Sequence, residues 1–102
     1  MICAMATAAD AFTAHRASIR RIVEANGAVN PRVFGSIVHG DATEHSDIDI
    51  LVDAVDDQTT LIDLVRMQTA IEALTGFRTE VLTAFDIHER FRGTVVAEAQ
   101  PV

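Results

Sequence analysis

No lysine, tyrosine or tryptophan occurs anywhere in the 102 residues, and cysteine occurs once, as Cys3. Without lysine there is neither a P-loop cation nor an amine for Schiff-base chemistry. With only five phenylalanines as aromatics, there is little material for stacking nucleic-acid bases. A single cysteine cannot form an internal disulfide, so an oxidising compartment is not indicated and the cytoplasm is the default. No apolar run approaches the roughly 20 residues of a membrane span. The Ala-rich start lacks the basic segment of a signal peptide, its first cation being Arg16. Positive charge is scarce as well: eight arginines face fifteen acids, for a net charge of −7. That excludes a general nucleic-acid binder, which carries a basic face. An acidic chain that handles a polyanion needs metal ions as intermediaries.

What is present is enough for one core, so a single domain is expected over residues 8–102. Residues 1–7 form a ragged lead, in which Met5 rivals Met1 as initiator. Phe12, Ile19, Ile22 and Val23 repeat at helical spacing within residues 9–26, before Asn26-Gly27 as a stop. Val29–Phe34 reads as a strand whose Pro31 suggests an edge or entry position. After a helical turn and a polar loop, DIDILVD alternates with period two. Asp47, Asp49, Leu51 and Asp53 share one face, and Ile48, Ile50 and Val52 share the other. A helix over Thr60–Leu74 has a capping box at Thr60/Asp63 and an apolar stripe of Leu64, Met67, Ile71 and Leu74. Phe77–Thr83 is a further strand carrying Glu80. Asp86–Ala99 is a last helix with Ile87, Phe91 and Val95 inward, weakened by Gly93. This order predicts an α+β (α/β sandwich) fold, a small mixed sheet with helices packed mainly on one face.

The chemistry concentrates between Gly35 and Asp53. Two aspartates at i and i+2 on a strand point the same way about 6–7 Å apart. They suit one hard cation, or two at the roughly 3.5–4 Å of two-metal sites. Upstream, Gly35 permits close backbone approach to a phosphate, and Ser36 puts a hydroxyl at a helix start, where free amides favour anions. The combined spacing is G-S-x10-D-x-D.

That pattern resembles the nucleotidyltransferase superfamily related to DNA polymerase beta, specifically the minimal nucleotidyltransferases (MNT). Gly40, Ser46, the ILVD continuation and the terminal EAQPV are similar to the family as well, so the likeness spans nearly the whole chain. The resemblance implies a polymerase beta-like core, Gly35 and Ser36 as phosphate-binding residues, and Asp47 and Asp49 as metal-binding carboxylates. Glu80 stands where the family's third carboxylate is normally aspartate; one methylene longer, it can still ligate Mg2+ or accept a proton. His39 stands where many members carry arginine, and is a weaker candidate for the triphosphate. His15, His45 and His88 receive no role, Asp53, Asp56 and Asp57 read as a solvated cluster, and Arg90 and Arg92 as a surface pair.

The implied reaction uses ATP and two Mg2+ ions to transfer a nucleotidyl group to a hydroxyl. The chain carries one half of a cleft, so a second copy or a different chain is expected to complete it. By resemblance, the partner is a HEPN-domain RNase toxin adenylylated on tyrosine, with this chain as the antitoxin. Two alternatives stay open: a non-catalytic antitoxin acting by complex formation, and transfer to a small molecule.

Overall fold

The computed structural model describes residues 7–56 and 58–102. Cys3, the two candidate initiators and Asp57 lie outside the described residues. The helices are α1 (Ala8–Ala14), α2 (Arg16–Ala25), α3 (Ser36–His39), α4 (Leu61–Thr75) and α5 (Glu89–Glu98). The strands are β1 (Ala28–Phe34), β2 (Ile48–Ala54), β3 (Thr79–Leu82) and β4 (Gln100–Pro101). They form one mixed sheet in the order β3-β2-β1-β4, with β2 and β3 parallel and β1 antiparallel to both its neighbours. The α+β architecture follows the hydrophobic periods.

The period-two alternation of β2 decides the layering. Ile48, Ile50 and Val52 are buried in one cluster with Phe12, Ile19 and Val23 of the leading helices. Leu64, Met67 and Ile71 of α4 complete that layer. Thr60 and Asp63 close the expected capping box, and Gly76 ends α4 in a left-handed conformation.

Four details depart from the sequence expectation. The leading helix is two helices that meet at His15. No residue type there breaks a helix; α1 turns instead to meet the loop before Asp47, where the Ala8 amide donates to the Thr43 carbonyl at 3.1 Å. Pro31 lies within a strand paired on both sides, not at the sheet edge. A bulge accommodates it: the register steps from Val29↔Asp53 to Arg32↔Leu51, three residues opposite two, and Asn30 adopts φ 52°. The last helix is shortened. Thr83 and Asp86 cap a 3-10 turn over Ala84–Asp86, Ile87 is extended, and α5 starts only at Glu89. Its less exposed stripe is Arg92, Val95 and Glu98, so Phe91 faces solvent. Finally, Gln100–Pro101 add a strand against β1 where only a chain end was expected.

That short strand determines where α5 lies. Both β2 and β4 pair antiparallel with β1, so β4 is parallel to β2 and β3. The crossovers β2–α4–β3 and β3–α5–β4 therefore step across the sheet in opposite directions. α5 buries none of its residues and packs chiefly against the 3-10 turn over Ala84–Asp86, whereas α4 packs on the sheet through Leu64, Met67 and Ile71. At about 1.5 Å per residue, α5 is long enough to bridge three strand spacings. Leu51 sits on the aspartate face, outside the main cluster, yet is fully buried.

Thr60→Ala removes the α4 cap and is expected to cost about 1 kcal/mol. The melting temperature should fall by roughly 4–8 °C. Thr69→Ala on the exposed side of the same helix should change it little, and thermal unfolding of the pair checks this.

Candidate active site

One row of the sheet organises the candidate residues. Phe34 of β1, Asp49 of β2 and Glu80 of β3 are lateral neighbours in register. Lateral partners point to the same face, so Asp49 and Glu80 stand side by side on the face opposite α4. Asp47 immediately precedes β2 and is half-buried, like Asp49, whereas Glu80 is exposed. The structure thus brings all three carboxylates into one neighbourhood. The parallel β2–β3 pairing does this, although the two segments are about 30 residues apart in sequence.

The carboxylates repel one another. Asp49 is pushed up to about 6, chiefly by burial, then by the charge of Glu80 and then by that of Asp47. Its nearest neighbour on the other side is backbone. Gly35 adopts φ 76° and ψ −144°, a conformation open to glycine, and a Cβ there would collide with Asp49 Oδ2. The glycine therefore serves twice, letting β1 turn into α3 and letting the Asp49 carboxylate lie against the turn.

Ser36 is the first residue of α3, with Gly35 as the cap. It directly follows Gly35, against which the Asp49 carboxylate lies. The loop entering the carboxylates is tied by its own side chains. The Thr43 amide donates to Ser46 Oγ at 2.8 Å, and the His45 amide donates to Thr43 Oγ1 at 3.1 Å. Ser46 thus holds the approach to Asp47.

His39 ends α3, exposed, with Nε2 3.0 Å from the Glu98 carboxylate of α5. It is engaged by this acid, and is not brought into the Asp49–Glu80 row. The other histidines have local roles: His15 joins α1 to α2, His45 lies 3.4 Å from Glu44, and His88 caps α5 by accepting from the Arg90 amide. Two arginines carry more than sequence reading assigned. Arg32, only 14% exposed along its side chain, pairs with Asp53 at 2.5 Å. Asp53 is consequently bound rather than merely solvated. Arg92 donates to the carbonyls of Ala84 and Ile87, fixing the 3-10 turn, and is therefore not simply a surface cation. Arg32 was legible in principle, since it falls out of phase with the core residue Val33.

Among the described residues, no three acidic, histidine or cysteine side chains stand together so as to hold a metal ion. The donor chemistry is nevertheless of the kind Mg2+ takes: hard carboxylate oxygens on neighbouring strands, with no ion pair among the described residues. Mg2+ keeps positions for phosphate and water and rarely takes an all-protein shell.

The Asp49 shift has a defined pH consequence. Because its folded value lies above the unfolded one, the native chain holds more protons between about pH 4 and pH 6. The Asp49 contribution to stability is therefore fully present below that window and is lost as pH rises through it. Asp49→Asn should stabilise the metal-free chain by about 1–2 kcal/mol at pH 7.5, allowing for solvent screening, and by nearly nothing at pH 4. Urea unfolding at the two pH values measures this. Gly35→Ala should displace the Asp49 carboxylate and weaken Mg–ATP binding by tenfold or more, on the order seen when ligand-supporting contacts are lost; calorimetric titration reads it.

Comparison with known proteins agrees with this geometry. Residues 16–102 match the family described as the nucleotidyltransferase domain. The chain is 35% identical over 87 residues to the protein adenylyltransferase MntA of Thermococcus cleftensis, covering 85% of this chain and 84% of that protein. A solved structure assigned to the minimal nucleotidyltransferases superposes with a TM-score of 0.80 at 35% identity, covering 92% of this chain and 95% of the other. A toxin–antitoxin crystal structure with AMP-PNP shares the fold, with a TM-score of 0.70 at 20% identity over 83% of this chain and 69% of that one. The chain therefore belongs to the nucleotidyltransferase-domain family of enzymes, as a minimal nucleotidyltransferase homologous to protein adenylyltransferases.

Proposed function

We propose that the chain is a Mg-dependent protein adenylyltransferase that moves AMP from ATP to a tyrosine hydroxyl of a HEPN-domain RNase toxin, and so acts as its antitoxin. The observation that carries this reading is the row of Asp49 and Glu80, with Asp47 beside it and Gly35 packed against it. Its support from kinship is the likeness to a protein named for adenylyl transfer to proteins, and a shared fold with a toxin–antitoxin complex.

Asp47, Asp49 and Glu80 would hold the metal. When bound, Mg2+ would supply charge neutralisation at the attacking and leaving oxygens. The backbone at Gly35 and the Ser36 hydroxyl hold the phosphates against that face. The tyrosine oxygen attacks the α-phosphorus as the bond to pyrophosphate breaks. Glu80, the exposed member of the row, takes the proton. His39, held by Glu98, reaches the triphosphate only by leaving that pair.

A second reading has specific support. Glu80 is longer than the aspartate of related enzymes, and His39 is engaged by an acid. Both favour neutralisation of the toxin by complex formation without transfer.

Incubation with the toxin, labelled ATP and Mg2+ separates the two. For the enzyme, label appears on the toxin and falls about 10²–10³-fold in Asp47→Asn. Glu80→Gln should fall comparably, and Glu80→Asp should retain or raise the rate. Neutralisation that persists in Asp47→Asn, with no label on the wild-type reaction, identifies the binder.

A further inference from the structure

Away from the carboxylate row, one cleft is unused by the proposed chemistry. It lies at the carboxyl ends of β2 and β3, has a volume of about 220 Å3, and is lined by Val52, Asp53, Ala54, Asp56, Ala84 and Phe85, with Thr83 at its side. Asp53 follows Asp49 by four residues, which along an extended strand is about 13 Å. The cleft is therefore separate from the metal and phosphate positions. Its volume falls below the roughly 300–1,000 Å3 of small-molecule sites, so it suits one inserted side chain.

The wall of this cleft is preorganised. Phe85 sits at the middle of the 3-10 turn, where Thr83 and Asp86 close the cap and Arg92 binds the Ala84 and Ile87 carbonyls at 2.7 and 3.1 Å. The turn is thus held rigid while its phenyl ring remains 85% exposed. The Arg92 guanidinium lies 5.4 Å from the ring centroid. The ring already stacks one guanidinium and keeps solvent access for another.

Charge selects the occupant. Both titratable side chains in the lining are carboxylates. Asp53 is shared with Arg32 and Asn30, the latter at 2.9 Å, and its side chain stays half-exposed. Asp56 is exposed and has no ion pair among the described residues. Arg32 already engages Asp53 and Arg92 lies over Phe85, so Asp56 is the free acceptor; a planar cation would find it beside an apolar floor and the exposed ring. We propose that this cleft receives an arginine side chain of the protein acceptor, fixing the acceptor's register on the enzyme about 13 Å along the strand from Asp49. This rests on the reading that the acceptor is a protein, although the cleft's chemistry can be measured without any transfer.

The test is a nitrogen-15 NMR titration of the full chain, without nucleotide, using N-acetyl-arginine amide as the probe. The amides of Ala54, Asp56, Ala84 and Phe85 should shift saturably in the millimolar range, and N-acetyl-glutamine amide should leave them unmoved. Phe85→Ala and Asp56→Asn should each weaken binding about two- to fivefold. Both side chains are exposed, so the remaining spectrum should be preserved and report an intact fold. Absence of a saturable shift overturns the proposal. Equal response to glutamine amide, unchanged binding in both variants, or selective occupation by adenosine does the same. Arginine binding in a chain that transfers no label would leave the cleft standing and sink the adenylyltransferase reading; label transfer without arginine binding would do the reverse.

Discussion

Parallel pairing of β2 with β3 places Asp49 beside Glu80, two like charges on adjacent strands, with Asp47 close by. The like charges oppose this arrangement, and the Asp49 carboxyl is raised first by burial and then by the charges of Glu80 and Asp47. What holds the row together is the other face of the same strands. Ile48, Ile50, Val52 and Val81 are buried in the main core against the helical layer. The strand alternation couples the two: each buried residue on one side obliges its neighbour to face the other way. The core thus supplies the free energy that keeps the carboxylates crowded, and a bound cation would relieve the crowding.

Gly35 sets the other boundary of the site. Its backbone occupies the space in which any side chain would meet Asp49. The Gly35 turn and the Asp49 carboxylate are consequently in contact, so what moves one moves the other. The loop ahead of Asp47 is fixed from two directions, by Ser46 within it and by α1 against Thr43. Rigid support on each side suits a reaction in which catalysis consists mostly of positioning and charge stabilisation.

The aspartate face is not open along its whole length. The 3-10 turn over Ala84–Asp86 packs against β2, and Leu51 on that face is fully buried. The face carries the carboxylate row at one end of β2 and the cleft beside Phe85 at the other. Glu98 of α5 also engages His39, so the C-terminal segment reaches α3, the helix that begins at the Gly35 turn.

Much of this was legible from local pattern. Period-two alternation in DIDILVD, the Thr60/Asp63 capping box and the helix stop at Gly76 rest on interactions between near neighbours in sequence. For the same reason Asp47, Asp49, Gly35 and Ser36 stood out: their spacing lies within one strand-turn-helix-strand segment. The sequence alone therefore determined the helical layer, the faces of the strands and the aspartate pair. Only the tertiary structure decided that Glu80 stands laterally beside Asp49, that Pro31 is absorbed by a bulge inside the sheet, and that Gln100–Pro101 form a strand. The break at His15 and the binding of His39 to Glu98 belong to the same group. Each depends on contacts between segments distant in the chain, and residue period and spacing carry no information about which distant segment will be the neighbour.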